Sequence, residues 1–121
     1  LAPPNRITRR SDFTRTLKQG VRVGRRDVVA HVLVPTDPDF VTHGGPRIGL
    51  IVGKSVGNSV TRHAVARKLR AAARPLVNRC DPTTLVVVRA LPGSAMCSEP
   101  ELERQLAAAV TKAERRIEAI V

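Results

Sequence analysis

Between Phe40 and Cys80 the chain carries eight lysines and arginines and no aspartate or glutamate. Like charges at that density repel, so the fold must leave these cations in water and bury the apolar residues between them elsewhere. An amphipathic helix does both. With Arg62 at zero and about 100° per residue, Ala72, Val65, Leu76 and Leu69 fall between roughly 280° and 340°. On the same period Arg70, His63, Arg74 and Arg67 fall between roughly 80° and 140°. The pattern predicts a helix from about Ser59 to Leu76, its apolar stripe on a sheet and its cationic side in solvent. Lys68 lies off both sectors, and Arg62 borders the apolar one.

A merely solvated helix would mix its signs and set Glu and Lys four residues apart. A single-signed face instead calls for a polyanion, and arginine can grip phosphate oxygens bidentately. The segment before the helix, Lys54-Ser55-Val56-Gly57-Asn58-Ser59-Val60, places Gly and Asn at its entrance. Free amides at a helix N-terminus attract phosphate, although a plain capping turn needs the same residues.

The formal net charge is +11. Residues 1–26 contribute +7, residues 27–39 contribute −3, residues 40–80 contribute +8 and residues 81–121 contribute −1. Positive charge thus sits in two blocks, and the C-terminal third looks ordinary. The balance implies nucleic acid or an acidic membrane surface as partner. No apolar run approaches the roughly 20 residues of a membrane span, and no signal-peptide pattern opens the chain. The expectation is a cytoplasmic protein without a membrane partner. Cys80 and Cys97 form no CxxC pair and have no His at metal-ligand spacing, so two reduced thiols are expected.

The 121 residues suit one domain, 1–121, with one core. Phe13 and Phe40 are the only aromatics, so Val, Leu, Ile and Ala must build that core. Ser11 can cap a helix running to about Gln19, with Gly20 closing it. Val21–Val23, Asp27–Val34 and Arg47–Gly53 read as strands, separated by turn signals at Pro35 to Asp39 and His43 to Pro46. Asp81-Pro82 marks a turn before an apolar strand over Thr84–Val88, expected to be buried on both faces. Ser98-Glu99-Pro100-Glu101 fits a capping box for a last helix with Leu102, Leu106, Ala109, Ala113, Ile117 and Ile120 at helical spacing. The order is α-β-β-β-α-β-α, a single α+β domain.

The run from Arg47 to Arg62 (RIGLIVGKSVGNSVTR), followed by Val65, Arg67, Leu69 and Arg70, resembles the protein subunit of bacterial ribonuclease P. Asn5-Arg6-Ile7, Asp12-Phe13 and Lys18-Gln19-Gly20 are similar to that family's opening helix, and Leu85 to Val88 and Pro92 also fit. The family's Arg-Asn-Arg signature stands here as Arg62-His63-Ala64, and a further family lysine is Ala66. The missing cations imply thinner contact on this helix, offset by the N-terminal arginines.

The resemblance implies an α+β sandwich with a mixed sheet and a left-handed β-α-β crossover, where general rules favour a right-handed one. It implies binding to the catalytic RNA of ribonuclease P through Lys54, Asn58, Arg62, Arg67, Lys68, Arg70 and Arg74, with further basic contacts from Arg6, Arg9 and Arg10. The 5′ leader of precursor tRNA would run in a cleft at Phe13, Leu17 and His31, where Phe13 can stack on a base or simply fill the core. Cleavage would belong to the RNA and to Mg²⁺ held mainly by it. The chain accordingly shows no catalytic constellation and no metal-ligand cluster at useful spacing. Asp37 and Asp39, flanking Pro38, are explained by turn chemistry. Competing readings are a structural rRNA-binding protein, a self-contained nuclease and, more weakly, a DNA-binding helix-turn-helix.

Overall fold

The computed structural model describes residues 1–37 and 44–120. The expected turn residues Pro38, Asp39 and His43 fall outside these, as does the Ile120 side chain. Helix α1 spans Arg10–Gln19, and strands β1, β2 and β3 span Val21–Gly24, Val28–Leu33 and Arg47–Ile51. Helix α2 spans Ser59–Arg79, strand β4 Leu85–Ala90 and helix α3 Glu99–Ile120. The expected order is therefore present, with two short 3-10 turns added at Pro3–Asn5 and Pro92–Met96.

Several boundaries differ from the expectation for local reasons. Helix α1 starts at Arg10 with Arg9 as its cap, so Ser11 lies inside the first turn and does not cap. Asp12 supplies the negative charge that a helix start favours. Helix α2 continues past Leu76 and through Pro75 to Arg79. Buried Leu76 holds that last stretch to the core, and Arg79 ties it to α3 by bonds to Glu114 (2.7 Å) and Thr111 (2.8 Å). Strand β4 sits later than Thr84–Val88, because its pairing with β2 extends to Val28↔Ala90. It is buried except at Arg89, which points outward.

The sheet has the order β1-β2-β4-β3. Strands β1, β2 and β4 are antiparallel neighbours, and β3 pairs parallel with β4 at the edge. Helices α2 and α3 cover the face that presents Val28, Ala30, Val32, Ile48, Val86 and Val88. Helix α1 covers the other face, where a side chain at Gly49 would strike the Phe13 ring at 2.9 Å.

The hand of the β3-α2-β4 crossover follows from these contacts. Arg47 donates its amide to Thr84 on the β4 side (3.0 Å), while the Ile48 carbonyl accepts from Ile7 on the opposite side (3.2 Å). Residues 47, 49 and 51 thus aim their backbone groups at β4 and their side-chain positions at α1. In an L-chain, a strand running upward with a side chain toward the viewer points that residue's N–H and C=O to the right. Seen from α1, β4 therefore lies right of β3. Seen from α2 it lies left, so the crossover is left-handed, against the general preference.

The core is built from aliphatic residues. Leu69, Leu76, Leu102, Leu106, Val86 and Val88 are each at most 2% exposed. Each such side chain contributes about 1.5–3 kcal/mol relative to exposure. Helix α3 opens with the expected capping box: Glu101 N donates to Ser98 Oγ (3.3 Å) and Ser98 N to Glu101 Oε2 (3.1 Å).

A buried polar cluster fixes α3 against the β1–β2 turn. Asp27 Oδ2 accepts from Gln105 Nε2 (2.7 Å) and Cys97 Sγ (3.1 Å), and Asp27 N donates to Gln105 Oε1 (2.8 Å). Those two side-chain donors, Gln105 first, hold the Asp27 carboxyl below the usual carboxylate range. Both cysteines are free and buried, and burial above all pushes each thiol up to about 11. A thiol so protonated is a poor nucleophile.

Candidate nucleic-acid interface

Helix α2 presents its charge as the periodicity requires. Val65, Leu69, Ala72 and Leu76 are buried, whereas His63, Arg67, Arg70 and Arg74 are exposed. Among the described residues no acid lies within ion-pair distance of these three arginines. Arg62 is half-buried at the stripe's border, and its Nε has no partner among the described residues. Ala64 and Ala66 are half-buried and add no charge.

Lys68 is placed differently from the arginines. It is half-buried, and its Nζ donates to the Cys97 carbonyl (3.0 Å). The amine that the sequence groups with the RNA-facing cations thus ties α2 to the turn before α3.

The entrance to α2 forms by local chemistry. Asn58 Oδ1 caps the Thr61 amide (2.9 Å), and the Gly57 amide closes a turn onto the Lys54 carbonyl (3.2 Å). Gly57 has φ +155°, and a side chain there would meet Thr61 Cβ at 2.9 Å, so only glycine fits. Lys54, Ser59 and Val60 are exposed. The Ser59 and Val60 amides keep no intramolecular acceptor among the described residues. A helix start with open amides, flanked by cations, favours an anion.

The N-terminal arginines extend this surface. Arg6 bridges Ile48 at the free edge of β3, and Arg6 and Arg70 flank one groove of about 190 Å³ floored by Ile48, Gly49 and Leu50. The structure thereby brings together two cations 64 positions apart in sequence. Arg9 and Arg10 are exposed at the start of α1. Arg15 is instead neutralised by a bidentate pair with Asp37 at 2.7 and 2.8 Å.

The three expected cleft residues share the α1 side of the sheet. Strand register sets Gly49, Val87, His31 and Arg22 in one row across β3, β4, β2 and β1. Phe13 lies over Gly49, and Phe13 and Leu17 are half-buried. His31 is only 7% exposed, and neither ring nitrogen has a partner among the described residues. Burial first, then the charges of Arg22 and Arg89, lower its pKa, so the ring is neutral at pH 7. His31 therefore belongs to the floor beneath α1, while Phe13 and Leu17 remain reachable.

Arg22 and Arg89, both exposed, rim this face and were missed by the sequence reading. The available signal was a single cation inside the apolar run of β4. Among the described residues, no group of three or more His, Cys, Asp or Glu could hold a metal ion. No helix among them is long and apolar enough to cross a membrane.

Comparison with known proteins places this geometry in context. The family model described as Ribonuclease P matches residues 1–114. The "Ribonuclease P protein component" of Rhodococcus opacus (strain B4) is 47% identical over 113 residues, covering 93% of this chain and 90% of the relative. That of Nocardia farcinica is 44% identical over 128 residues, covering 93% of this chain and 82% of the relative. Among solved structures, the Staphylococcus aureus RNase P protein superposes with a TM-score of 0.70 at 23% identity, covering 90% of this chain and 94% of that one. The Thermotoga maritima protein superposes with a TM-score of 0.68 at 17% identity, covering 91% and 96%. These two structural likenesses speak for the fold.

Proposed function

Because the chain belongs to the ribonuclease P protein family, we propose that its single-signed α2 face and open helix entrance bind the phosphate backbone of the ribonuclease P RNA. The observation that carries this reading is the exposed trio Arg67, Arg70 and Arg74, none of them ion-paired among the described residues. Arg62, Lys54 and Asn58 continue that surface to the entrance, and Arg6 joins it across the β3 edge. Arg9 and Arg10 extend it toward α1.

The 5′ leader of precursor tRNA lies along the α1 side of the sheet. Phe13 and Leu17 offer apolar surface to its bases, and Arg22 and Arg89 hold its phosphates. His31 supports this floor as a neutral ring.

Cleavage of the leader is the work of RNA-bound Mg²⁺, and the chain supplies charge neutralisation and substrate positioning. Among the described residues, three of its aspartates are already engaged. Asp27 is buried in hydrogen bonds, Asp37 is paired with Arg15, and Asp81 closes its own turn through Thr83. Neutralised phosphate lowers the RNA–RNA repulsion that opposes substrate docking, and with it the Mg²⁺ needed to screen that repulsion.

Reconstitution with the matching RNA at low Mg²⁺ tests this reading. Precursor tRNA is expected to bind more tightly than mature tRNA when the protein is present, and equal affinities would overturn the leader assignment. Replacing Arg67 and Arg70 by Ala is expected to flatten the salt dependence of RNA binding by about one to two units of slope. An unchanged slope would show that neither side chain touches phosphate.

A further inference from the structure

The C-terminal third of the chain is nearly neutral, yet α3 sorts its charges by side. With Arg104 at zero, Arg115, Lys112 and Arg116 fall at roughly 20°, 80° and 120°, Glu103, Glu114 and Glu118 fall between roughly 260° and 320°, and Glu101, at roughly 60°, is the one acid of α3 within the basic sector. The acidic side leans toward α2, where Glu114 is spent on Arg79 at 2.7 Å. The basic side leans toward the β1–β2 turn, which brings two more cations: Arg25 Nη2 approaches the Ala108 carbonyl (3.4 Å), and Arg26 is exposed.

The turn thus stands between two grooves along α3. One, of about 480 Å³, has small residues Ala107, Ala108 and Thr111 as its floor and Arg25, Lys112 and Arg115 as its walls. The other, of about 560 Å³, is walled by Arg26 and Arg104 and carries Met96, which is 89% exposed. Among the described residues no acid pairs with any of these five cations. The two acids that line the second groove are accounted for: Asp27 is buried in its own hydrogen bonds, and Glu101 is folded back onto the Ser98 amide.

We propose that this hairpin–α3 surface is a second RNA site, which takes the phosphate backbone of a segment other than the one on α2. The dimensions suit that ligand. Arg104 and Arg115 are separated by about 16 Å along the helix at 1.5 Å per residue. The small-residue floor lets a sugar–phosphate chain approach the helix backbone, and the flanking cations meet its oxygens from both sides. No aromatic residue lies among the groove walls, so the site reads backbone charge and shape and does not stack bases. The inference rests on the reading of this chain as RNA-binding, but it concerns a different face.

The test uses the full chain with the matching ribonuclease P RNA. Binding is measured over a salt series for wild type, for Arg25→Ala/Lys112→Ala/Arg115→Ala, and for Arg67→Ala/Arg70→Ala. The hairpin–α3 variant is expected to flatten the slope by about two units, additively with the α2 variant. Lys112→Glu/Arg115→Glu, which leaves the Arg25 contact intact, guards against a folding defect and is expected to lose at least as much slope. A photo-crosslinker attached at Ala108→Cys should label nucleotides distinct from those labelled from His63→Cys on α2. An unchanged slope in both hairpin–α3 variants, or labelling of the same nucleotides from both positions, overturns the proposal. Loss of slope in the α2 variant alone would sink this site and leave the proposed function standing. Loss in the hairpin–α3 variants alone would do the reverse.

Discussion

Helices α2 and α3, of 21 and 22 residues, lie side by side on one face of the sheet and bury the same kind of aliphatic stripe. They differ in how their outer faces become charged. Every charged residue of α2 is basic, so its exposed side is cationic whatever surrounds it. Helix α3 carries both signs, and its character depends on which neighbour meets each side: Arg79 of α2 takes Glu114, and the β1–β2 turn adds Arg25 and Arg26. A single-signed helix advertises its ligand in the sequence, whereas a mixed one acquires a field only through packing.

The strongest way to break the comparison is to ask whether the two stripes are equivalent. Leu69 and Leu106 are both fully buried. Leu69→Ala and Leu106→Ala are each expected to cost about 2–5 kcal/mol in urea denaturation. A loss under about 1 kcal/mol at either site would mean that one helix is docked far more loosely than its burial implies.

The polar ties sharpen the comparison next. Asp27→Ala removes the buried acceptor of Gln105 and Cys97 and is expected to cost about 1–3 kcal/mol. Lys68→Ala removes one part-buried bond from α2 and is expected to cost about 0.5–1.5 kcal/mol. The Asp27 term also carries a pH signature. Its folded pKa is lowered, so its contribution is present above the unfolded value of 3.8 and is lost as pH falls through the folded value. The stability gap between wild type and Asp27→Ala should therefore shrink as pH falls from 3.8 through the folded value. A gap that stays constant into strong acid would mean that the carboxylate charge contributes nothing.

The smallest expected effect concerns the contact between the two helices. Arg79 and Glu114 are partly exposed, and a double-mutant cycle should give about 0.2–1 kcal/mol. A coupling well above that would indicate that the pair, and not the buried stripes, sets how α2 and α3 align.

The element order, the aliphatic core and the face of α2 were legible from periodicity and composition. Apolar residues recurring at helical spacing can be buried in only one way, and a single-signed helix needs no neighbour to define its sign. The capping box at Ser98 was legible because both of its bonds are local. Boundaries were less so. Helix α2 runs through Pro75 because Leu76 and Arg79 find partners remote in sequence, and β4 reaches Ala90 because β2 pairs with it there.

By itself the sequence determined an α+β order with a cationic helix between its third and fourth strands, because local spacing and charge suffice for both. Only the tertiary structure decided the left-handed crossover, the burial of His31, the diversion of Lys68 to Cys97, the joining of Arg6 to Arg70 and the sorting of charge on α3. Each of these depends on which residues distant in the chain become neighbours, and neither spacing nor composition encodes that directly.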